Sequence, residues 1–329
     1  MTDPTRSVDP VAQPAVTFGI GSADVQSVDA VEHADRPGDH EVALKSMSQW
    51  QLAWRRFRRH KLAMIGLTIF SVMVFVAIFG PIIWPFDRGA LVRCPSQACF
   101  APSLEFPFGT DNGGRSVFTL VANGARISMA VGLATMFIAV TIGVIVGAVA
   151  GYFAGAVDGV LMRFVDLMLS IPFLFVVLVA ARFFGGGDPL ILILIFGLLS
   201  WPGLARLVRA VYLSLREQEF VLAAKAVGVG DLRIAFRHML PNAIGPIVVS
   251  ATLLVANAII LEAFVSYLNF GIRATELSWG NALAQSQATM IFGNWWWPFF
   301  PGMAIALTVI AINFMGDGLR DALDPRSKE

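Results

Sequence analysis

Long apolar runs alternate along the chain with short polar breaks punctuated by Gly and Pro, and the runs set its architecture. They fall at 62–85, 127–152, 159–183, 190–204, 243–270 and 298–315. A helix needs about 20 apolar residues to cross a bilayer. All but 190–204 approach or exceed that length. The pattern predicts an all-α polytopic membrane protein with six transmembrane helices. Composition agrees: 56% of the residues are hydrophobic and 14% charged, with mean hydropathy +0.69, against about 25% charged in soluble domains. Within the second run, Gly143, Gly147, Gly151 and Gly155 recur every four residues. In lipid that spacing lets another helix approach closely; a sliding surface is the other reading. Pro172 in the third run is a candidate kink, and the fourth run contains Pro202.

Charge orients the spans. The net charge of +1 hides a segregation. Residues 47–61 read as a basic interfacial helix, in which Trp50, Leu52, Trp54 and Phe57 accompany five cations between Arg55 and Lys61. Placing both termini in the cytoplasm assigns fifteen Lys and Arg inside, leaving residues 1–46 aside, and six outside, as the positive-inside rule requires. The segments are then a disordered acidic cytoplasmic tail (1–46), the interfacial helix, a first span (62–85) and an external loop (86–126). A core of five spans (127–316) follows, containing a cytoplasmic loop at 206–242, and a cytoplasmic tail (317–329) ends the chain. Residues 1–46 hold eight acidic residues against three basic ones, without periodicity.

Residues 219–241, EFVLAAKAVGVGDLRIAFRHMLP, break two apolar runs with a polar, basic stretch. Phe220, Ala223, Ala224 and Val227 share one helical stripe. Gly228 and Gly230 punctuate it, Asp231 is a cap candidate for a second short helix, and Pro241 is expected to stop that helix. Small alanine side chains on a short, water-facing hairpin let another protein approach the backbone.

Glu262 is the one acid well inside a span. A charge there costs roughly 2.5–3.5 kcal/mol on insertion scales, so it should face protein or water. It either lines a pathway, meeting a substrate's amino group, or is a protonated or paired acid at a helix interface. Asn257 is a weaker candidate of the same kind. Arg163 and Asp166 are spaced to meet on one helix. Cys94 and Cys99, on the predicted outer side, are either a local disulfide or two thiols. No GxxxxGK[ST] loop, nucleophile–base pair, metal-ligand spacing or nucleic-acid-binding patch occurs in the sequence. The chain is therefore read as a non-enzyme that binds no cofactor of its own.

The stretch 219–241 resembles the coupling loop of ABC importer permeases, EAA, three residues, Gly, nine residues, I-x-L-P. Ala223, Ala224, Gly228, Leu240 and Pro241 match, while Leu222 replaces Glu and His238 replaces Ile. FRHMLPN at 236–242 is similar to the FRHILPN of the dipeptide, oligopeptide and nickel importer branch. FGTDNGGRSVF…GARIS at 108–128 resembles a second signature of that branch, with Ser116 in place of Asp and Leu120 in place of Arg, and the ending GDGLRDALDPR does so as well. The resemblance implies a type I ABC importer permease fold in the plasma membrane of a bacterium. It implies a homologous second permease, two ABC ATPase subunits that use ATP and Mg, and an extracytoplasmic peptide-binding protein. Coupling to the ATPases would fall on Glu219, Phe220, Ala223, Ala224, Gly228, Arg237, Leu240 and Pro241. An ion-gradient-driven secondary transporter is the alternative; it calls for more buried ionisable groups and internal repeats. A membrane enzyme would need a catalytic constellation.

Overall fold

A computed structural model of the chain describes residues 49–85, 101–184, 187–273, 275–287 and 293–323. The expected features at 1–46 and at Cys94 and Cys99 lie outside these residues. The described part is helical, with one isolated bridge, Thr110 to Ser116. An amphipathic helix α1 (Gln49–Arg59) leads into α2 (Lys61–Ile83). Then come α3 (Val117–Phe153), α4 (Gly155–Ser170), α5 (Phe173–Phe183) and α6 (Pro189–Arg216). A hairpin of α7 (Glu219–Ala226) and α8 (Asp231–Arg233) passes through a π-helical turn (Ile234–Met239) into α9 (Leu240–Tyr267). The short α10 (Trp279–Ser286) and the long α11 (Trp296–Leu323) complete the order.

Five helical segments are long and apolar enough to cross a membrane; the pair α4 and α5, bent by 80°, makes a sixth if counted as one span. The bend falls at Ile171–Pro172. A proline disfavours helical geometry in the residue before it and supplies no N–H, so the helix breaks there. Pro202 behaves differently, because α6 runs through it for 28 residues. The run 190–204 is thus the apolar half of a longer helix whose second half carries Arg206, Arg209 and Arg216.

Other ends also move outward from the apolar runs. Helix α3 starts at Val117, so residues 117–126 are helix rather than external loop. Helix α11 continues past residue 316 to Leu323. Its last turns receive Phe57 and Ala63, which pack with Ala322 and root α1 and α2 on the bundle. Ahead of α3, Asp111 Oδ1 accepts from the N–H groups of Gly113 (2.9 Å) and Arg115 (2.7 Å). Burial raises the Asp111 carboxyl above its ordinary pKa, opposed by those backbone bonds and the charge of Arg115. Trp296 Nε1 donates to the Thr110 carbonyl at 3.1 Å, and the Phe108 ring stacks on Phe300. This turn is therefore nailed to the start of α11.

Among the described residues, the contact between α3 and α6 is the most extensive in the bundle. A Cβ added at Gly147 would lie 2.5 Å from the Ala205 carbonyl oxygen, and one at Gly151 2.5 Å from Tyr212 Cβ. Gly143 meets Leu204 and Trp201 in the same seam. Gly155 does not belong to it; with φ +57 it opens α4, and nothing lies within 4 Å of an added Cβ. Across α4 and α6 the carboxylates take remote partners, Asp158 with Arg209 and Asp166 with Arg206. Asp166 thus pairs across helices instead of with its local neighbour Arg163.

Gly147→Leu should force α3 away from α6. A loss of about 1–3 kcal/mol is expected for such overpacking, read as a lower Tm of the detergent-solubilised variant than of the wild-type protein.

Candidate coupling site

Helix α7 is eight residues long, with Glu219 in its first turn and Lys225 in its last, each favourably placed in the field of the helix dipole. It ends because Gly228 adopts φ +80. The Gly228 N–H donates to the Lys225 carbonyl (2.9 Å) and the Val229 N–H to the Ala224 carbonyl (3.1 Å). This pair of bonds is a Schellman closure, which needs a left-handed residue and so favours glycine. Open space surrounds Gly228. Backbone conformation, not crowding within the chain, therefore explains the glycine.

Two faces of the hairpin differ. Val221 is fully buried and joins Ile234, Ala235 and Met239 in a cluster with Tyr152, Val208 and Tyr212. Ala224 and Leu240 are partly buried against the same cluster. The stripe expected from the sequence points the other way: Phe220, Ala223 and Val227 are exposed, Val227 at 84%. Glu219, Arg237 and Pro241 are exposed as well. The hairpin is thus anchored by one row of side chains and presents another.

Pro241 does not stop the second helix, contrary to expectation. Asp231–Tyr267 is one helical run of 37 residues. The π turn makes this compatible with proline: the Leu240 N–H reaches back five residues to the Ala235 carbonyl. Asn242 Nδ2 then donates to the His238 carbonyl at 2.8 Å, and Tyr212 Oη donates to the Ala235 carbonyl at 3.0 Å. Side chains supply donors where proline and the wide turn disturb the ladder.

Asp231 is not a side-chain cap, since Gly230 holds that position without a side-chain bond. Instead, its Oδ1 accepts from Tyr152 Oη at 2.6 Å. Lys225 Nζ lies 5.1 Å above the centre of the same Tyr152 ring, within cation–π range. Tyr152, Tyr212 and Val221 are site residues that sequence reasoning missed. Tyr152 carries one weak signal, its position directly after Gly151 in the glycine series.

Deeper in the bundle, Glu262 is fully buried. Ser128 Oγ of α3 donates to its Oε2 and Ser266 Oγ to its Oε1, each at 2.9 Å. The backbone N–H of Trp279 donates to Ser128 Oγ (3.1 Å), and that of Ile272 to Ser266 Oγ (3.2 Å). Glu262 therefore joins α3, α9 and the start of α10. This geometry is that of an interface acid, with none of its surface open to a pathway in this conformation. Asn257 differs: it is exposed on α9 between Leu253 and Ile260. At the hairpin end of the same helix lies a cavity of about 510 Å³ lined by Leu207, Pro246, Ser250, Leu253 and Arg320, among others.

Residues 139–329 match the family described as binding-protein-dependent transport system inner membrane component. The chain belongs to that family. Residues 48–92 match a second description, the N-terminal transmembrane domain of oligopeptide transport permease C. The permease is 41% identical over 285 residues to the dipeptide transport system permease protein DppC of Bacillus subtilis, covering 87% of this chain and 88% of the relative. It is 40% identical over 306 residues to the oligopeptide transport system permease protein OppC of Haemophilus influenzae, covering 92% and 96%. Against OppC of Bacillus subtilis the identity is 37% over 297 residues, covering 90% and 96%. With its apolar helices and this family membership, the chain is a multi-pass inner-membrane protein.

Replacing Glu262 should separate charge from hydrogen bonding. Glu262→Gln keeps an acceptor for a serine hydroxyl and should cost little. Glu262→Ala leaves the Ser128 and Ser266 hydroxyls without their acceptor and should cost about 1–3 kcal/mol for each group orphaned. Thermal unfolding in detergent reads the difference.

Proposed function

We propose that this chain is a permease subunit of an ATP-driven ABC importer of dipeptides or oligopeptides. The single observation that carries the reading is the two-faced hairpin, anchored through Val221 and Ile234 while Phe220, Ala223 and Val227 stand free. Family membership and the peptide-transport names of its relatives support it. In this reading the fold is that of a type I importer permease with both termini in the cytoplasm. The free face of α7, with Glu219, Gly228, Arg237 and Pro241 around it, docks on one of two ABC ATPase subunits. Those partners bind ATP and Mg; this chain holds neither and transmits motion.

A second, homologous permease completes the translocation pathway, and an extracytoplasmic protein delivers the peptide. Asn257 on the exposed stripe of α9 faces that shared pathway or the second permease. A mid-membrane amide gains most where it meets protein or water instead of lipid. Glu262 acts from within, by holding α3, α9 and α10 in register. ATP-driven closure of the ATPases then biases a hinge-type alternating-access equilibrium.

The test uses the complex assembled with its partner permease, ATPases and binding protein in liposomes, with a radiolabelled dipeptide outside. Uptake should require ATP in the ATPase compartment and survive collapse of ion gradients. Gly228→Val strains the left-handed turn by about 1–2 kcal/mol and should lower peptide taken up per ATP hydrolysed. Uptake without ATP that follows a proton gradient would overturn the proposal in favour of secondary transport.

A further inference from the structure

We infer that Tyr152 is a positioning residue for coupling, a side chain that ties both arms of the hairpin to α3. The inference rests on the docking role proposed for the hairpin and specifies how its displacement enters the bundle. Three observations converge on this residue. Its hydroxyl donates to Asp231 at the start of the second arm (2.6 Å). Its ring lies under the Lys225 ammonium at the end of the first arm (5.1 Å). The side chain is 4% exposed and packs in the cluster that also takes in Val221, Ile234 and Tyr212.

Position along the helix matters as much as contact. Tyr152 follows Gly151, where a Cβ would meet Tyr212 at 2.5 Å, so it sits at the end of the close seam between α3 and α6. Asp231 and Lys225 are themselves exposed on the hairpin, and Gly228 and Gly230 lie between them. The tyrosine adds polar ties between the arms and α3 to the apolar packing of Val221 and Ile234. With it, a push on either arm loads α3 directly, and the seam passes that load to α6. The charged groups facing the hydroxyl and ring are Asp231, Lys225 and, within electrostatic range of the ring, Arg216. No covalent step is involved.

The test compares Tyr152→Phe, Asp231→Ala and the double variant in the reconstituted complex, measuring peptide taken up per ATP hydrolysed and copurification of the ATPases. Tyr152→Phe keeps the packed ring and the lysine contact and removes only the hydroxyl. The expected result is an uptake-to-hydrolysis ratio lowered about five-fold or more, with ATPases still copurifying. The double variant should be no worse than Tyr152→Phe alone, since both remove the same bond. A wild-type ratio in Tyr152→Phe would overturn the inference, as would fully additive losses in the double variant. Loss of the ATPases from the Tyr152→Phe complex would also overturn it, by making the residue one of assembly. If the wild-type chain itself copurifies no ATPase, the docking proposal fails first, which separates the two failures.

Discussion

Two backbones meeting without side chains between them set the geometry of this permease. Along Gly147 and Gly151, α3 lies against α6 so closely that a methyl group has no room, and at Gly143 one would be tight. Lipid gives apolar helices no reason of their own to associate, so close packing of small residues has to supply the attraction. Everything at the hairpin end is built on that seam. It brings Tyr152 and Tyr212 to one place, and the cluster they form receives Val221 from α7 and Ile234 from the second arm. The ion pairs of Asp158 with Arg209 and Asp166 with Arg206 then fasten the bent α4 beside the same two helices.

A second constraint works inside the bundle. A carboxyl group there is expensive unless every oxygen finds a donor. Glu262 meets this condition with two serine hydroxyls, and those hydroxyls in turn accept backbone N–H groups of Trp279 and Ile272. The resulting chain of bonds specifies where the α9–α10 connection crosses α3 in a way that apolar packing alone does not. The Trp279 indole adds a bond to the Val121 carbonyl at 2.9 Å. Polar atoms thus set the register, and apolar atoms fill the space.

The spans themselves were legible because bilayer thickness imposes a length on any apolar run. The run at 62–85 corresponds to Lys61–Ile83 almost residue for residue. Ends were harder to read, since a helix continues into water wherever its backbone bonds continue. Residues 117–126 and the arginine-bearing half of α6 are helix although polar residues interrupt their apolar character. Pro241 reads locally as a stop, and only the π turn with its tyrosine and asparagine donors makes it part of a helix. The hairpin motif was visible, but not which face is anchored: Phe220 and Val221 are both apolar neighbours, and only the presence of Tyr152, Val208 and Tyr212 around Val221 decides between them. Partners distant in sequence, such as Arg206 for Asp166, leave no local signal at all.

The π turn has a consequence for how far small movements reach. Because Pro241 breaks nothing, Asp231–Tyr267 is one rod of 37 residues, about 55 Å long at the usual helical rise. Rotating such a rod by about 5° about the hairpin end carries its opposite tip roughly 5 Å, close to the width of an extended peptide backbone. A small rotation near Asp231 is therefore magnified along α9, without any helix having to unwind.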